Sequence, residues 1–230
     1  MSAFAKPVAA SRSLRVLAAL LSYPDAAMRG HLPEMREILR DEAALPAARH
    51  VELDALIEAL ANADSMETEA NYVELFDRGR GTSLHLFEHV HGDSRERGPA
   101  MIDLAQTYEK AGLYLAPGEL PDYLPAVLEF VSTQPPVEAR SFLGEMAHIF
   151  NAIFSALQQR ESPYASVLGA LLELAGEKAQ AVALAAEPSL DESWAEPQVF
   201  DGCSTRGQAR PGQPQPIQIV RKSAHSGVAT

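Results

Sequence analysis

Residues 137–159 carry the strongest pattern in the chain, and that pattern is helical. Their large apolar side chains recur every three or four residues and form one broad stripe: Phe142, Met146, Ile149, Phe150, Ile153, Phe154 and Leu157. Shorter stripes of the same period run through much of the preceding chain. No alternation typical of a strand extends over a useful length before residue 190. The sequence therefore predicts an all-α fold.

Proline and glycine divide residues 1–190 into about eight predicted helices with short connections. This indicates a single-domain helical bundle. We expect Pro121 to open one helix, residues 137–159 to form one continuous helix, and a last helix to run from Ser162 to about Ala186. Pro, Gly, Gln and Ser dominate beyond Glu187, so residues 191–230 are predicted to be a mostly disordered tail.

The charge of the chain is strongly negative and unevenly distributed. The formal net charge is -12, which argues against nucleic acid and anionic membranes as partners. Residues 201–230 hold one acidic and four basic side chains, so residues 1–200 carry -15. An acidic body suits a basic partner, although solubility alone also accounts for it. The single cysteine, Cys203, excludes a disulfide framework and fits a reducing compartment.

The beginning of the chain resembles a signal peptide only superficially. Arg12 and Arg15 precede the apolar run Val16–Leu21, but this run is short and no small-residue cleavage site follows it. A core helix over residues 12–21 is the better interpretation. No stretch approaches the roughly 20 apolar residues that a membrane-spanning helix needs.

Two Glu-x-x-His pairs raise the possibility of a di-metal enzyme built in a helical bundle. They are Glu88 with His91 and Glu145 with His148. However, His148 lies about 160° from the centre of its helix's apolar stripe, so it is predicted to face water. Five prolines in residues 117–136 also exclude a long metal-bearing helix there. The di-metal enzyme is therefore the weaker alternative, and we predict neither a metal nor catalytic residues.

The region around residue 80 offers two further chemical alternatives. His85, His89 and His91 have spacings that allow a surface metal cluster, although solvated or hydrogen-bonded histidines fit equally simply. The run Asp77-Arg-Gly-Arg-Gly81 is basic and rich in glycine, but it lacks the spacing and the preceding strand of a nucleotide-binding loop. A helix end and a hinge explain it as well.

Large apolar side chains and acidic side chains occur on both sides of this hinge. Tyr72, Phe76, Leu84 and Phe87 lie near Glu74, Asp77, Glu88 and Asp122. A groove with an apolar floor and an acidic rim would accept a basic amphipathic helix from another protein. The alternative is that these aromatic side chains simply belong to the core.

Several motifs resemble those of the delta-type assembly chaperones of respiratory nitrate reductase, the NarJ family. The most specific are residues 75–101, beginning Leu-Phe-Asp-Arg-Gly-Arg-Gly-Thr-Ser-Leu-His-Leu-Phe-Glu-His, and residues 119–130, Glu-Leu-Pro-Asp-Tyr-Leu-Pro-Ala-Val-Leu-Glu-Phe. Residues 159–164 and 194–200 are also similar. The resemblance covers residues 12–203 and is specific in residues 71–130.

The resemblance implies a cytoplasmic all-helical chaperone that is not an enzyme and holds no cofactor of its own. Its implied partner is the apo catalytic subunit of nitrate reductase, bound through an N-terminal peptide, and the cofactor-delivery machinery is a further candidate. A related client among the molybdenum oxidoreductases is an alternative. The peptide-site candidates carried over by position are Tyr72, Phe76, Arg78, Leu84, Phe87, Glu88, His89, Pro121, Asp122 and Phe130. Tyr123 stands where many relatives have histidine, which puts a proton-linked role at this position in doubt.

Overall fold

The structure, a computed structural model, describes residues 9–92 and 94–180. They contain eleven α-helices and one short 3₁₀ turn, and none of them forms a strand. The helices are α1 Ser11–Leu20, α2 Ala26–Gly30, α3 Leu32–Glu42, α4 Ala47–Asn62, α5 Ser65–Phe76, α6 Leu86–Val90, α7 Arg97–Lys110, α8 Leu124–Ser132, α9 Pro136–Glu145, α10 Ala147–Gln159 and α11 Ala165–Ala175. The 3₁₀ turn is Arg80–Thr82. The predicted all-α fold is confirmed.

Two helices, α8 and α11, form the centre of the bundle because they are apolar on nearly every side. Almost every residue of α8 is buried, and α11 is buried along most of its length. Helix α1 packs against both, while α10 packs on α11. A helix that is apolar all round has no face to offer to water, so its neighbours must surround it.

The first helix lies where its sequence pattern predicts. Leu14, Leu17, Leu20 and Leu21 are all buried against the rest of the core. Among the described residues, no helix is both long enough and apolar enough to cross a membrane. The predicted disordered tail, residues 191–230, lies outside the described residues.

Helix α7 is the most peripheral of the longer helices. The sequence places Met101, Leu104, Ala105 and Tyr108 on one apolar face, but only Tyr108 is buried. The ring of Tyr108 lies 4.8 Å from that of Phe130 in α8, and its hydroxyl donates to the Pro121 carbonyl at 2.8 Å. Tyr108 thus packs the C-terminal half of α7 against the bundle.

The predicted continuous helix over residues 137–159 is wrong. Helix α9 ends at Glu145, α10 begins at Ala147, and Met146 caps both. Gly144, a poor helix former, immediately precedes this break. Because α9 packs against both α8 and α11, the two short helices divide the apolar stripe between separate contacts.

Two other helix boundaries also differ from prediction. Pro121 does not open a helix, because residues 122–124 pair with the backbone of residues 84–86 and α8 begins only at Leu124. The last helix does not reach residue 186, because Gly176 adopts φ +80° and ends α11 at Ala175. A glycine in the left-handed region is a common way to terminate a helix.

Candidate peptide-binding site

Helix α5 carries two of the predicted site residues into the core. Asp64 followed three residues later by Glu67 is a pattern that predicts a helix start. The Asp64 carboxylate accepts hydrogen bonds from the backbone N–H groups of Met66 and Glu67, so it caps the helix as predicted. Tyr72 and Phe76 are both buried, with ring centroids 4.8 Å apart. The Tyr72 hydroxyl donates to the Leu21 carbonyl at 2.7 Å. Both rings pack in the core, and of the two only Phe76 lines a cavity.

The chain reverses direction after α5 through a tightly held turn. The buried Thr82 hydroxyl donates to the Leu75 carbonyl, which ties the 3₁₀ turn back to the helix end. Gly79 leaves no room for a side chain, since an added Cβ would lie 2.8 Å from both the Arg160 guanidinium and the Thr82 hydroxyl. The predicted hinge is therefore a closely packed corner.

Residues 84–86 then pair with residues 122–124 in a short antiparallel bridge. The Leu124 N–H donates to the Leu84 carbonyl at 2.8 Å, and the Leu86 N–H donates to the Asp122 carbonyl at 3.0 Å. The pairing brings the start of α6 against the start of α8. It also places the Asp122 side chain beneath the N-terminus of α6.

Asp122 is the most deeply buried charged side chain of the region, with 0% of its surface exposed. Its carboxylate accepts the Phe87 N–H at 3.2 Å and lies 3.3 Å from Nδ1 of His85. The Arg97 guanidinium of α7 approaches it at 3.8 Å and also contacts Glu88 at 3.5 Å. Asp122 therefore connects α6, α7 and the entry to α8.

The titratable groups around Asp122 respond to this burial. The hydrogen bond with Asp122 raises the pKa of the His85 imidazole above its usual range, against an opposing effect of desolvation. Tyr123 packs beside His85 with ring centroids 5.5 Å apart, and its hydroxyl lies 3.2 Å from that of Tyr72. Burial raises the pKa of the Tyr123 phenol, so this hydroxyl stays protonated.

A polar cavity of about 360 Å³ opens beside the turn at Gly79. Arginine side chains dominate its walls, and only Phe76 contributes a large apolar surface. Its lining is Phe76, Asp77, Arg78, Gly79, Arg80, Ser83, His85, Glu88, Gly92 and Arg97. The cavity lies at the predicted hinge. It has little of the predicted apolar floor, and Asp77 and Glu88 of the predicted acidic rim share its lining with three arginines.

A second cavity, of about 420 Å³, lies between α1, α8 and the connection from α7 to α8. We call it the Phe130 cavity. Its walls are largely apolar, and two carboxylates and one guanidinium line it as well. The lining comprises Arg15, Tyr108, Leu113, Tyr114, Leu115, Glu119, Ala126, Glu129, Phe130, Ser132 and Thr133. The two cavities share no lining residue.

The structure separates the ten predicted site residues into three groups. Six are buried: Tyr72, Phe76, Leu84, Pro121, Asp122 and Phe130. Phe87, Glu88 and His89 are half-buried, while Arg78 is exposed and pairs with Glu74 at 2.8 Å. Phe76, Arg78 and Glu88 meet at the polar cavity, whereas Phe130 lies at the other one.

The sequence does not single out several residues that shape these sites. Tyr108, Tyr114 and Glu129 line the Phe130 cavity, and Arg97 supports Asp122. Tyr108 belongs to a recognisable apolar stripe, which was a usable signal. Nothing local distinguishes Arg97 or Tyr114 from ordinary surface residues.

The three histidines near residue 88 have separate partners. His85 contacts Asp122, His89 Nε2 lies 2.8 Å from the Ser83 carbonyl, and His91 packs its ring against Phe87. His148 is exposed, as its position on the helix predicts. Throughout residues 9–92 and 94–180, no three His, Cys, Asp or Glu side chains are grouped so as to hold a metal ion.

Comparison with known proteins shows the family to which the chain is similar. Residues 42–170 match the family described as nitrate reductase delta subunit. The chain is also 46% identical over 162 residues to the nitrate reductase molybdenum cofactor assembly chaperone NarJ of Escherichia coli, covering 70% of this chain and 69% of that one. The chain belongs to the nitrate reductase delta subunit family.

Two further similarities are more limited, one in the share of the relative that is covered and one in sequence identity. The nitrate reductase-like protein NarX of Mycobacterium tuberculosis is 35% identical over 153 residues, which cover 66% of this chain but 22% of NarX. The crystal structure of a redox enzyme maturation protein from Archaeoglobus fulgidus aligns with a TM-score of 0.52 and 19% identity, covering 77% of this chain and 100% of that one. The latter supports the fold alone. The family is one of maturation chaperones and not of enzymes.

Proposed function

We propose that this chain binds the apo catalytic subunit of respiratory nitrate reductase, including its N-terminal peptide. In this proposal it supports insertion of the molybdenum cofactor and an iron–sulfur cluster before the enzyme docks at the membrane. The observation that carries the proposal is the 46% identity to NarJ of Escherichia coli over 162 residues. We place this activity in the cytoplasm, where a chaperone would meet its client before membrane docking.

The physical basis is a coupled folding and binding reaction. A client N-terminus that is disordered when free would become helical on the chaperone, and its loss of conformational entropy would oppose binding. The resulting complex would be only moderately tight and would release its client once the client has folded. While bound, the segment would be unavailable for membrane docking, and the client would stay open for cofactor loading.

Electrostatics support a basic client segment. Residues 1–200 carry a net charge of -15, which would attract a cationic peptide and accelerate its encounter with the chain. Cofactor and cluster would come to the client from the delivery machinery. The residues of this chain would hold and orient the immature client, and no step of bond chemistry is assigned to them.

Calorimetry tests the proposal directly. The full chain is titrated with a synthetic peptide of the N-terminal residues of the nitrate reductase catalytic subunit from the same organism. We expect saturable binding with a negative heat-capacity change, because apolar surface becomes buried. A peptide of the same composition in scrambled order is the control. No binding at high micromolar concentration would refute the proposal, and preference for the peptide of another molybdenum oxidoreductase would reassign the client.

A further inference from the structure

Of the Phe130 cavity and the polar cavity at Gly79, only the first has walls suited to an amphipathic helix. We infer that the Phe130 cavity, and not the polar cavity at Gly79, receives the apolar anchor side chains of a cationic helical segment of the client. This inference rests on the proposed function and assigns its site. The occupant is a helix with one or two large apolar side chains next to lysine or arginine.

The floor of the Phe130 cavity is rigid and apolar. Phe130 is held between the rings of Tyr108 and Phe142, at centroid distances of 4.8 and 5.6 Å. Tyr108 is itself fixed by its hydrogen bond to the Pro121 carbonyl. A floor whose side chains are already packed against their neighbours loses little entropy when a ligand binds to it.

The rim holds an exposed aromatic side chain that the fold does not use. Tyr114 is 80% exposed, whereas its neighbours Leu113 and Leu115 pack against the core. It lies in a connection that contains two glycines with positive φ, Gly112 and Gly118. Tyrosine at the edge of an apolar pocket is typical of the residues that dominate binding energy in protein interfaces.

The charged side chains at the Phe130 cavity favour a cationic peptide segment. The exposed Glu129 and Glu119 carboxylates stand against one guanidinium, that of Arg15, which already donates to the Ser132 hydroxyl at 3.1 Å. The polar cavity instead presents three guanidinium groups, those of Arg78, Arg80 and Arg97, against two carboxylates, those of Asp77 and Glu88. A cationic helix would meet an excess of negative charge at the first cavity and an excess of positive charge at the second.

The size of the cavity agrees with anchoring rather than complete burial. A volume of about 420 Å³ holds a few side chains, whereas a helix with its side chains is about 10 Å across. The client helix would therefore lie across the opening and insert one apolar face. Its cationic side chains would then reach Glu129 and Glu119 at the rim.

Fluorescence anisotropy with a labelled client N-terminal peptide tests this site. In the full chain, Tyr114→Ser is expected to raise the Kd about tenfold, and Glu129→Lys about fivefold. Met66→Ser, equally exposed on α5, and Glu58→Lys on α4 are the matched controls, expected to stay within about twofold. All four positions are exposed, so folding is preserved, which circular dichroism verifies.

Two further measurements distinguish an error in the assigned site from an error in the proposed function. Arg78→Glu is expected to leave the affinity within about twofold, and a peptide whose basic residues are changed to glutamate is expected to bind at least about tenfold more weakly. Unchanged affinity of the Tyr114 and Glu129 variants, or weakening by Arg78→Glu alone, would overturn this site while leaving the proposed function intact. Failure of the unaltered chain to bind would reject both.

Discussion

Replacing Asp122 by alanine should be among the most damaging substitutions in the chain. The carboxylate is fully buried and receives the Phe87 N–H, while His85 and Arg97 lie 3.3 and 3.8 Å away. Its removal leaves a buried N–H without an acceptor and a guanidinium without one of its two carboxylates. Breaking one partner of such a buried network costs about 3–5 kcal/mol. For a domain of this size that lowers Tm by about 10 °C.

Urea unfolding followed by circular dichroism measures this loss. Asp122→Asn keeps the shape and one acceptor, so we expect a smaller loss of about 1–3 kcal/mol. Asp103→Ala, an exposed aspartate on α7, is the matched control and should change the free energy of unfolding by less than about 0.5 kcal/mol. An Asp122→Ala variant within about 1 kcal/mol of the unaltered chain would refute the role given to this carboxylate.

Three further substitutions test other parts of the fold. His85→Gln should reduce the pH dependence of stability. Because Asp122 raises the pKa of His85, its stabilisation is fully present below about pH 6.5 and is lost as pH rises through the raised pKa. The urea midpoints of the His85→Gln variant, measured from pH 5.5 to 8.5, should therefore converge with those of the unaltered chain at high pH. A difference between the two midpoints that stays equal at every pH would contradict this. His148→Gln is the control. Tyr72→Phe should cost about 1 kcal/mol in thermal or urea unfolding, because the Leu21 carbonyl loses its buried donor, while Tyr23→Phe at the surface should be near neutral. Gly176→Ala should lower the free energy of unfolding by at least about 1–2 kcal/mol in the same assay, because φ at this position is +80° and the new Cβ would meet the Arg140 guanidinium. Gly30→Ala should not lower it, because the space around Gly30 is open. Equal stability of the two glycine variants would contradict the assignment at Gly176.

Local patterns in the sequence were sufficient for most of the helices. The stripe through Ile149, Ile153 and Leu157 identified α10, and the side chain of Asp64 identified the start of α5. Both signals act within a few residues, where the helical period and capping bonds are decided. The sequence does not predict the break at Met146, because the apolar stripe continues across it. Gly144 is only a weak local signal, and the packing of α9 on α8 and α11 completes the division.

The candidate site was harder to predict because its geometry depends on distant parts of the chain. The sequence predicts Asp122 at the rim of a groove, whereas the structure buries its side chain. Its contacts with His85 and Phe87 join residues 37 and 35 positions apart, and they depend on the bridge between residues 84–86 and 122–124. No local pattern specifies such a pairing. Aromatic spacing alone likewise did not distinguish the core position of Tyr72 from the exposed position of Tyr114.

We propose that this chain recognises its client before the client has received its cofactor. The most direct measurement is affinity purification of the tagged full chain from nitrate-respiring cells, with and without a block in molybdenum cofactor synthesis. Quantitative mass spectrometry then compares the amount of nitrate reductase catalytic subunit retained. We expect the catalytic subunit to be enriched when cofactor synthesis is blocked. Equal recovery from both kinds of cell, or no recovery from either, would contradict the account.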